Sequence, residues 1–536
     1  MRRPCPHLPH SRRPIRWPAM MTLLLGGIAA CIPSVRRRVS PAPATYQTDS
    51  LAPYLKVHLA SGDVVLFSRW TVDTSARRIS GPATRYDFNR VAKPDTAAEI
   101  PYDSILLFES NRVIKDRGIG LGIVTGASLG VTAACAMNPK ACFGSCPTLY
   151  VGEGTAAQLE AESFSSSVAR SLEATDVDAL PSLSAVNGVA TVHIRNEALE
   201  THHLRSVTLL AVPHARGTQV FATDAGDLWV AGRTHGPTRC LAAEGDCLPA
   251  LRASGGAERS VRVDSTDLAT REFITLTFPA TDARRLGLVL RSRQSLVSTY
   301  LFYHTLALLG PNAGDWLAAL DRGDSVAHRQ ARVASEALGS IEVQWPDGSG
   351  GWRTVASTAE HGPLAADVRV LPLPVRAVGD SGAVTVRLRL ARGAWRIDQA
   401  ALAELVGPAA VHRLPPDAVE RERRGRGARV EGTADPEALQ LLRDSSRYLA
   451  TYPGDGYAVH WKVPPVQAEQ TLSYFVSVRG FYLEWMRREW QADANGLAAA
   501  ALLADPAQAM RTLAPAFARL EPTMEAAFWG SRHALR

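Results

Sequence analysis

Along most of the chain, apolar and polar residues alternate in short runs separated by turn residues, which is the signature of half-buried β-strands. Leu55, Val57 and Leu59 alternate with polar neighbours, Ser61-Gly62-Asp63 supplies a turn, and the chain returns from Val64 to Trp70, which predicts a hairpin. Strands around 77–81 and 105–109 complete a small β-barrel-like domain over 53–115. β-like runs at 189–194, 205–212, 219–221, 273–278 and 286–290 mark a β-rich domain over 151–290. A helical segment is expected at 291–330, with helices over 294–309 and 315–321. A second β-rich domain at 331–480 carries the strand from Val384 to Leu390 and the Trp395-Arg396-Ile397-Asp398 segment, and 481–536 reads as a helical tail. The expected fold class is multidomain and mainly β, a small barrel plus β-sandwich-like domains, with a helical C-terminal section.

Two stretches break this alternation. Gly118 to Met137 holds no charge, and Gly118, Gly122, Gly126 and Gly130 recur every four residues with Ala134 continuing the row. On a helix they form a smooth stripe suited to close packing in a membrane. The competing reading is a buried hairpin or a helix packed on the body, because each helical glycine costs about 1 kcal/mol relative to alanine. No second apolar run of that length exists, which argues against a simple span. Residues 116–150 are therefore assigned to a glycine-rich apolar helix and a cysteine loop.

The other stretch is Met20-Met21-Thr22-Leu23-Leu24-Leu25-Gly26-Gly27-Ile28-Ala29-Ala30-Cys31, preceded by Arg2, Arg3, Arg12, Arg13 and Arg16. It resembles a bacterial lipoprotein signal: a basic n-region, a short apolar h-region, then an aliphatic residue, two small residues and cysteine. The apolar run is too short to span a bilayer, which needs about 20 residues. The resemblance implies that 1–30 is a signal peptide and that Cys31 is lipidated. It also implies an outer-membrane address, since Ile32 rather than Asp follows Cys31. Residues 31–52, rich in Pro, Ser, Thr and Ala, read as a lipidated tether. Ser11-Arg12-Arg13-Pro14-Ile15 partly resembles a twin-arginine signal but lacks its later residues, so Sec export is expected. Within 54–110, Lys56-Val57-His58-Leu59-Ala60-Ser61-Gly62-Asp63-Val64-Val65 and Ile100-Pro101-Tyr102-Asp103-Ser104-Ile105 resemble the SH3-like or Sm-like barrels of some envelope lipoproteins.

Composition sharpens the class. Hydrophobic residues make up 46% of the chain and charged residues 21%, which is ordinary globular usage. The sequence pI near 9.1 suggests nucleic acid, but the formal net charge of +7 becomes −1 once the eight arginines of residues 1–38 are set aside. Basicity thus belongs to the signal and tether, and no nucleic acid is expected. Arg36, Arg37 and Arg38 would lie near anionic headgroups, each worth about 1 kcal/mol. The expected partners are the membrane, through the N-terminal lipid, and other envelope proteins; no cofactor or metal is expected.

In an oxidising envelope, cysteines are read first as disulfides. Cys240 and Cys247 flank a short turn and are paired; Cys135, Cys142 and Cys146 would contain one bridge, Cys142 to Cys146, and one spare thiol. The same Cys142-Phe143-Gly144-Ser145-Cys146 element could host thiol exchange, although it is not a CxxC motif. Gly379-Asp380-Ser381-Gly382 resembles the nucleophile loop of chymotrypsin-like proteases, but Ala383 replaces the expected glycine and the tetrapeptide is also good turn chemistry. Glu197, Glu200, His202 and His203 cluster two carboxylates and two imidazoles. On a strand Glu200 and His202 would share one face and His203 the other, so a solvated loop or edge is favoured over a metal site. Tyr452, Tyr457 and Trp461 surround a Gly-Asp-Gly turn and are the candidate ligand-binding residues, a sugar-stacking platform whose alternative is a hairpin core. The function expected is a noncatalytic, membrane-anchored envelope lipoprotein with a binding, scaffolding or assembly role. The alternatives are an envelope enzyme of serine-hydrolase or thiol-disulfide type, and a glycan-binding lipoprotein.

Overall fold

The structure, a computed structural model, describes residues 33–41, 55–59, 63–86, 92–115, 146–153, 157–198, 200–251, 258–359, 361–377, 379, 381–424, 430–452, 454–485 and 495–534. Cys31 and its signal, the glycine stripe at 118–137, Cys135 and Cys142 lie outside these residues. The protein is mainly β, with several sheets and with helices toward the C-terminus.

The N-terminal unit is an open sheet of seven strands. Its spatial order is Pro33–Pro41, Ile105–Lys115, Leu55–Leu59, Val64–Phe67, Arg78–Tyr86 and Thr71–Asp73, with Ala92–Pro101 also paired to Arg78–Tyr86. Leu55, Val57, Val65, Phe67, Ile79 and Phe108 gather into its own apolar core. At Gly81 two backbone segments approach closely, since a Cβ there would lie 2.2 Å from the Arg69 carbonyl oxygen. Within the expected tether, Pro33–Pro41 runs antiparallel along 107–115, from Pro33 opposite Lys115 to Pro41 opposite Leu107. Edge pairing needs backbone donors and acceptors rather than an apolar face, so composition gave no sign of it.

Two sandwiches follow, and the second is inserted in the first. In the first, one sheet joins Ala174–Ala179, Gln470–Glu484, Glu200–Ala215, His412–Leu414 and Leu449–Thr451. The facing sheet runs Val430–Ala434, Ala418–Arg424, Gly456–Lys462, Val189–Arg195, Thr148–Val151 and Gln158–Glu162. Between them lie Leu149, Val192, Ile194, Leu204, Val207, Leu209, Val459, Val476 and Val478. The second sandwich occupies 219–408. A closed barrel of Gln219–Ala222, Leu228–His235, Trp395–Pro408, Leu286–Gln294 and Asp367–Pro372 packs on a sheet ordered Gly245–Asp246, Arg239–Ala242, Arg271–Ala280, Ala383–Ala391, Ile341–Pro346 and Trp352–Thr358. The two-residue period decides each face. In Arg271–Ala280, Ile274, Leu276 and Phe278 are fully buried while Phe273, Thr275 and Thr277 face outward.

This pairing crosses the expected boundaries at 151–290 and 331–480. Val189–Arg195 pairs with Gly456–Lys462 and Glu200–Ala215 with Gln470–Glu484, so the first sandwich is built from two distant segments. Periodicity identifies a strand without naming its partner. The expected helical segment is three helices, Val297–Leu309, Ala313–Asp321 and Ser325–Leu338, the last capped by Asp324, whose carboxylate accepts from Val326 N and Ala327 N. Gly496–Ala504 and Pro506–Ala534 form the tail. Met510, Leu513, Ala514, Phe517, Leu520 and Met524 recur at helical spacing and seat that last helix in the core of the second sandwich, with Pro515 and Pro522 on its outer side. Among the described residues no helix is long and apolar enough to cross a membrane.

Candidate functional site

The longest strand pair carries the buried chemistry. At its end Glu200 lies directly opposite Glu484, and His202 opposite Tyr482. All four point to the same face, as positions two apart on paired strands must. None is more than 1% exposed. The His202 Nε2 and Glu200 Oε1 are 3.2 Å apart, and the Tyr303 hydroxyl, from helix Val297–Leu309, donates to Glu484 Oε1 at 2.7 Å. Asn196 Nδ2 donates to the carbonyls of Glu200 and Thr451, each at 3.0 Å, and the Tyr482 hydroxyl donates to the Ser165 carbonyl at 3.0 Å. Burial, with His203 adding, lowers the His202 pKa to about 3, so its imidazole is neutral at physiological pH. Burial also pushes the Tyr482 phenol well above its ordinary value, and Glu200 adds to this. His203 takes the other face, stacked on Phe481 at 4.7 Å.

The sequence pattern assigned these facings correctly but placed the segment on a solvated loop or edge. Its strand is instead interior, flanked by Gln470–Glu484 and Leu449–Thr451. Among the described residues no group of three His, Cys, Asp or Glu side chains could hold a metal ion. The arrangement holds these ionisable groups away from solvent.

The N-terminal unit docks beside this cluster. His58 stacks on Trp485 with ring centroids 3.5 Å apart, and the Trp485 Nε1 donates to Thr201 Oγ1 at 2.9 Å. Tyr452 packs against Trp485 in the same apolar group.

A second buried cluster joins the two sandwiches. Arg369, on the barrel strand Asp367–Pro372, places Nη2 2.6 Å from Asp367 Oδ2, 3.0 Å from Asp176 Oδ1 and 3.4 Å from Asp178 Oδ1. Its Nη1 donates to the Val177 carbonyl, and Asp224 lies 3.9 Å from its Nε. Asp176 and Asp178 belong to Ala174–Ala179 of the first sandwich, so one guanidinium spans the joint. His361 Nδ1 is 3.1 Å from Asp367 Oδ2, and Ser163 Oγ donates to Asp178 Oδ2 at 2.9 Å. Burial opposes the Arg369 charge, but the four carboxylates outweigh it and raise its pKa. Burial raises Asp178, reinforced by Asp176, and raises Asp367 against the pull of Arg369. Burial and Arg369 lower His361 to about 4. Nearby, Glu162 accepts from Leu364 N at 2.6 Å, and a Cβ on Gly362, which has φ +88, would fall 2.8 Å from that carboxylate.

A third network uses a β-bulge between Leu204 and Ser206 to place Arg205 against Glu173. Tyr448 Oη and Arg479 Nε also donate to Glu173, at 2.8 and 2.7 Å. Burial works against this carboxylate's charge, yet the donors hold its pKa down at about 2.

The remaining sequence candidates separate. Tyr457 and Trp461, 4% and 0% exposed, lie in the core of the first sandwich, while Tyr452, 7% exposed, joins Trp485. They form no sugar platform, because Gly456–Lys462 is an interior strand. Cys240 and Cys247 form the expected disulfide, with Cα atoms 5.1 Å apart. The expected Cys142 to Cys146 bridge rests on Cys142, outside the described residues; the buried Cys146 sulfur donates to Glu162 Oε1 at 3.2 Å. The neighbouring carboxylate gives that thiol an acceptor. Ser381 is exposed in the loop before Ala383–Ala391, and among the described residues no histidine is hydrogen-bonded to it.

One exposed arrangement was not singled out by sequence. On the outer face of the six-stranded sheet, the Arg387 guanidinium lies 4.5 Å from the Phe273 ring centroid and 4.6 Å from that of Trp352. Its Nε donates to Gln344 Oε1 at 2.8 Å. Arg389 pairs with Glu342, which also accepts from Thr354 Oγ1 at 3.0 Å. Phe273 remains 43% exposed. The alternation Phe273-Ile274-Thr275-Leu276-Thr277-Phe278 against Arg387-Leu388-Arg389 was the available signal. No protein-family model matches the chain, and no curated protein is significantly similar to it.

Proposed function

We propose that this protein is a lipid-anchored component of the bacterial envelope, with a binding, scaffolding or assembly role rather than a catalytic one. The carrying observation is where the ionisable side chains go. Glu200, His202, Glu484, Arg369, Asp178 and Asp367 have buried side chains in or beside joints between structural units, with half-buried Asp176 beside them. Such joints hold several modules against one another, which suits a protein that presents surfaces to partners. The anchor rests on the residue pattern ending at Cys31, with Ile32 favouring the outer membrane. The Cys240–Cys247 disulfide suits an oxidising compartment.

The test is metabolic labelling with an alkyne palmitate in intact cells, followed by cross-linking and mass spectrometry. Wild type should be labelled and should capture a defined envelope protein at near-equal stoichiometry, and Cys31→Ala should lose both. Unlabelled wild type removes the anchor; labelled protein with no partner above the Cys31→Ala background removes the assembly role.

A further inference from the structure

We propose that the outer face of the six-stranded sheet in the second sandwich, centred on Arg387, binds an acidic polysaccharide. The face spans Arg239–Ala242, Arg271–Ala280, Ala383–Ala391, Ile341–Pro346 and Trp352–Thr358, with Leu241 and Phe273 exposed on it. At roughly 4.8 Å between strands it is about 20 Å wide, enough to lay down an extended chain. Its chemistry has two parts. Phe273 presents an apolar ring to solvent, a surface on which the C–H face of a pyranose can rest. Beside it, Arg387 and Arg389 supply planar donors that match a carboxylate or sulfate in bidentate fashion.

Charge decides among occupants. Arg239, Arg387 and Arg389 share this face with two carboxylates, Glu342, which pairs with Arg389, and Asp246, opposite Leu241 at the sheet's edge, so the strip keeps a cationic excess. That stands out on a chain whose residues beyond 38 carry a formal charge near zero. A neutral glycan would leave Arg239 and Arg387 without a counter-charge. Arg387 is also held in position before any ligand arrives, between two rings and against Gln344. A donor fixed in advance loses little rotamer freedom on binding. Behind the face, Ile274, Leu276, Val386 and Leu388 are fully buried, so the platform rests on core rather than on a loop. The inference does not depend on the lipid anchor and would stand or fall without it.

The test is affinity electrophoresis of the purified full chain through gels containing polygalacturonate or dextran, with flotation on phosphatidylglycerol vesicles alongside. Polygalacturonate should retard wild type and dextran should not. Arg387→Gln and Phe273→Ser should each weaken retardation about tenfold, with unchanged urea midpoints. Arg332→Gln, on the exposed surface of helix Ser325–Leu338, should behave as wild type. Three results would overturn the proposal: no retardation of wild type; equal loss in Arg332→Gln, which would mean net charge alone; or vesicle binding that is lost in the same two variants without polygalacturonate binding, which would assign the face to a membrane. If Phe273→Ser shifts the midpoint, Arg387→Gln alone decides.

Discussion

The two joints of this protein achieve the same immobilisation with opposite chemistry. Between the N-terminal unit and the first sandwich, His58 and Trp485 meet ring on ring, with Tyr452 beside them. Between the two sandwiches, Arg369 meets four aspartates. A stacked aromatic contact is stabilised by area and tolerates small shifts. A buried ion cluster is weakly stabilising in total, because desolvation offsets attraction, but it is intolerant of losing one member. The first joint therefore resembles ordinary core, whereas the second specifies one orientation.

Breaking the ionic joint should have the largest effect. Arg369→Met strands Asp176, Asp178 and Asp367 without their cation, and about 3–5 kcal/mol of stability should be lost in urea unfolding. Adding Asp367→Leu and Asp178→Leu should recover much of that loss; if the triple variant is no better, the cluster is not an ionic lock. Trp485→Ala should cost about 3 kcal/mol. Hydrogen exchange should then rise in 55–59 while 361–369 stays protected, and equal rises in both would show that the joints are not separate.

A smaller effect probes the cluster behind the aromatic joint. His202 is neutral in the folded protein, with a pKa near 3, against 6.5 as its ordinary value. The unfolded chain therefore binds more protons below pH 6.5, so stability falls as pH drops toward 3. At pH 5 this amounts to about 2 kcal/mol, and the stability gap between wild type and His202→Asn should narrow by that amount relative to pH 7. A constant gap would refute a neutral buried imidazole. The smallest effect is expected at Glu173, whose pKa is depressed to about 2. Its contribution is present above the ordinary carboxylate range and is lost as pH falls toward 2. Glu173→Gln should cost about 1 kcal/mol at pH 7 and nothing near pH 2, as thermal melts across that range would reveal.

Strand identity was legible where apolar residues alternate: Leu55, Val57 and Leu59, or Val384, Val386, Leu388 and Leu390, announce themselves in this way. The facing of Glu200 and His202 followed from the same period. What alternation cannot carry is the partner. Val189–Arg195 and Gly456–Lys462 adjoin although hundreds of residues lie between them, so domain boundaries drawn along the chain fell inside the first sandwich. The aromatic platform misled for a related reason: Tyr457 and Trp461 look identical in sequence whether their strand is at an edge or in the interior. Arg369 escaped notice because its partners come from Ala174–Ala179, far upstream.

The pairing of Glu200–Ala215 with Gln470–Glu484 has a temporal consequence. The earlier strand leaves the ribosome long before its partner exists, and the unit at 219–408 has most of its own strand partners in hand first. Closure of the outer sandwich must await nearly the whole chain, and such long-range pairing is slow. Until its final segment is made the outer sandwich stays open, and its waiting strand is a natural client for a holding chaperone.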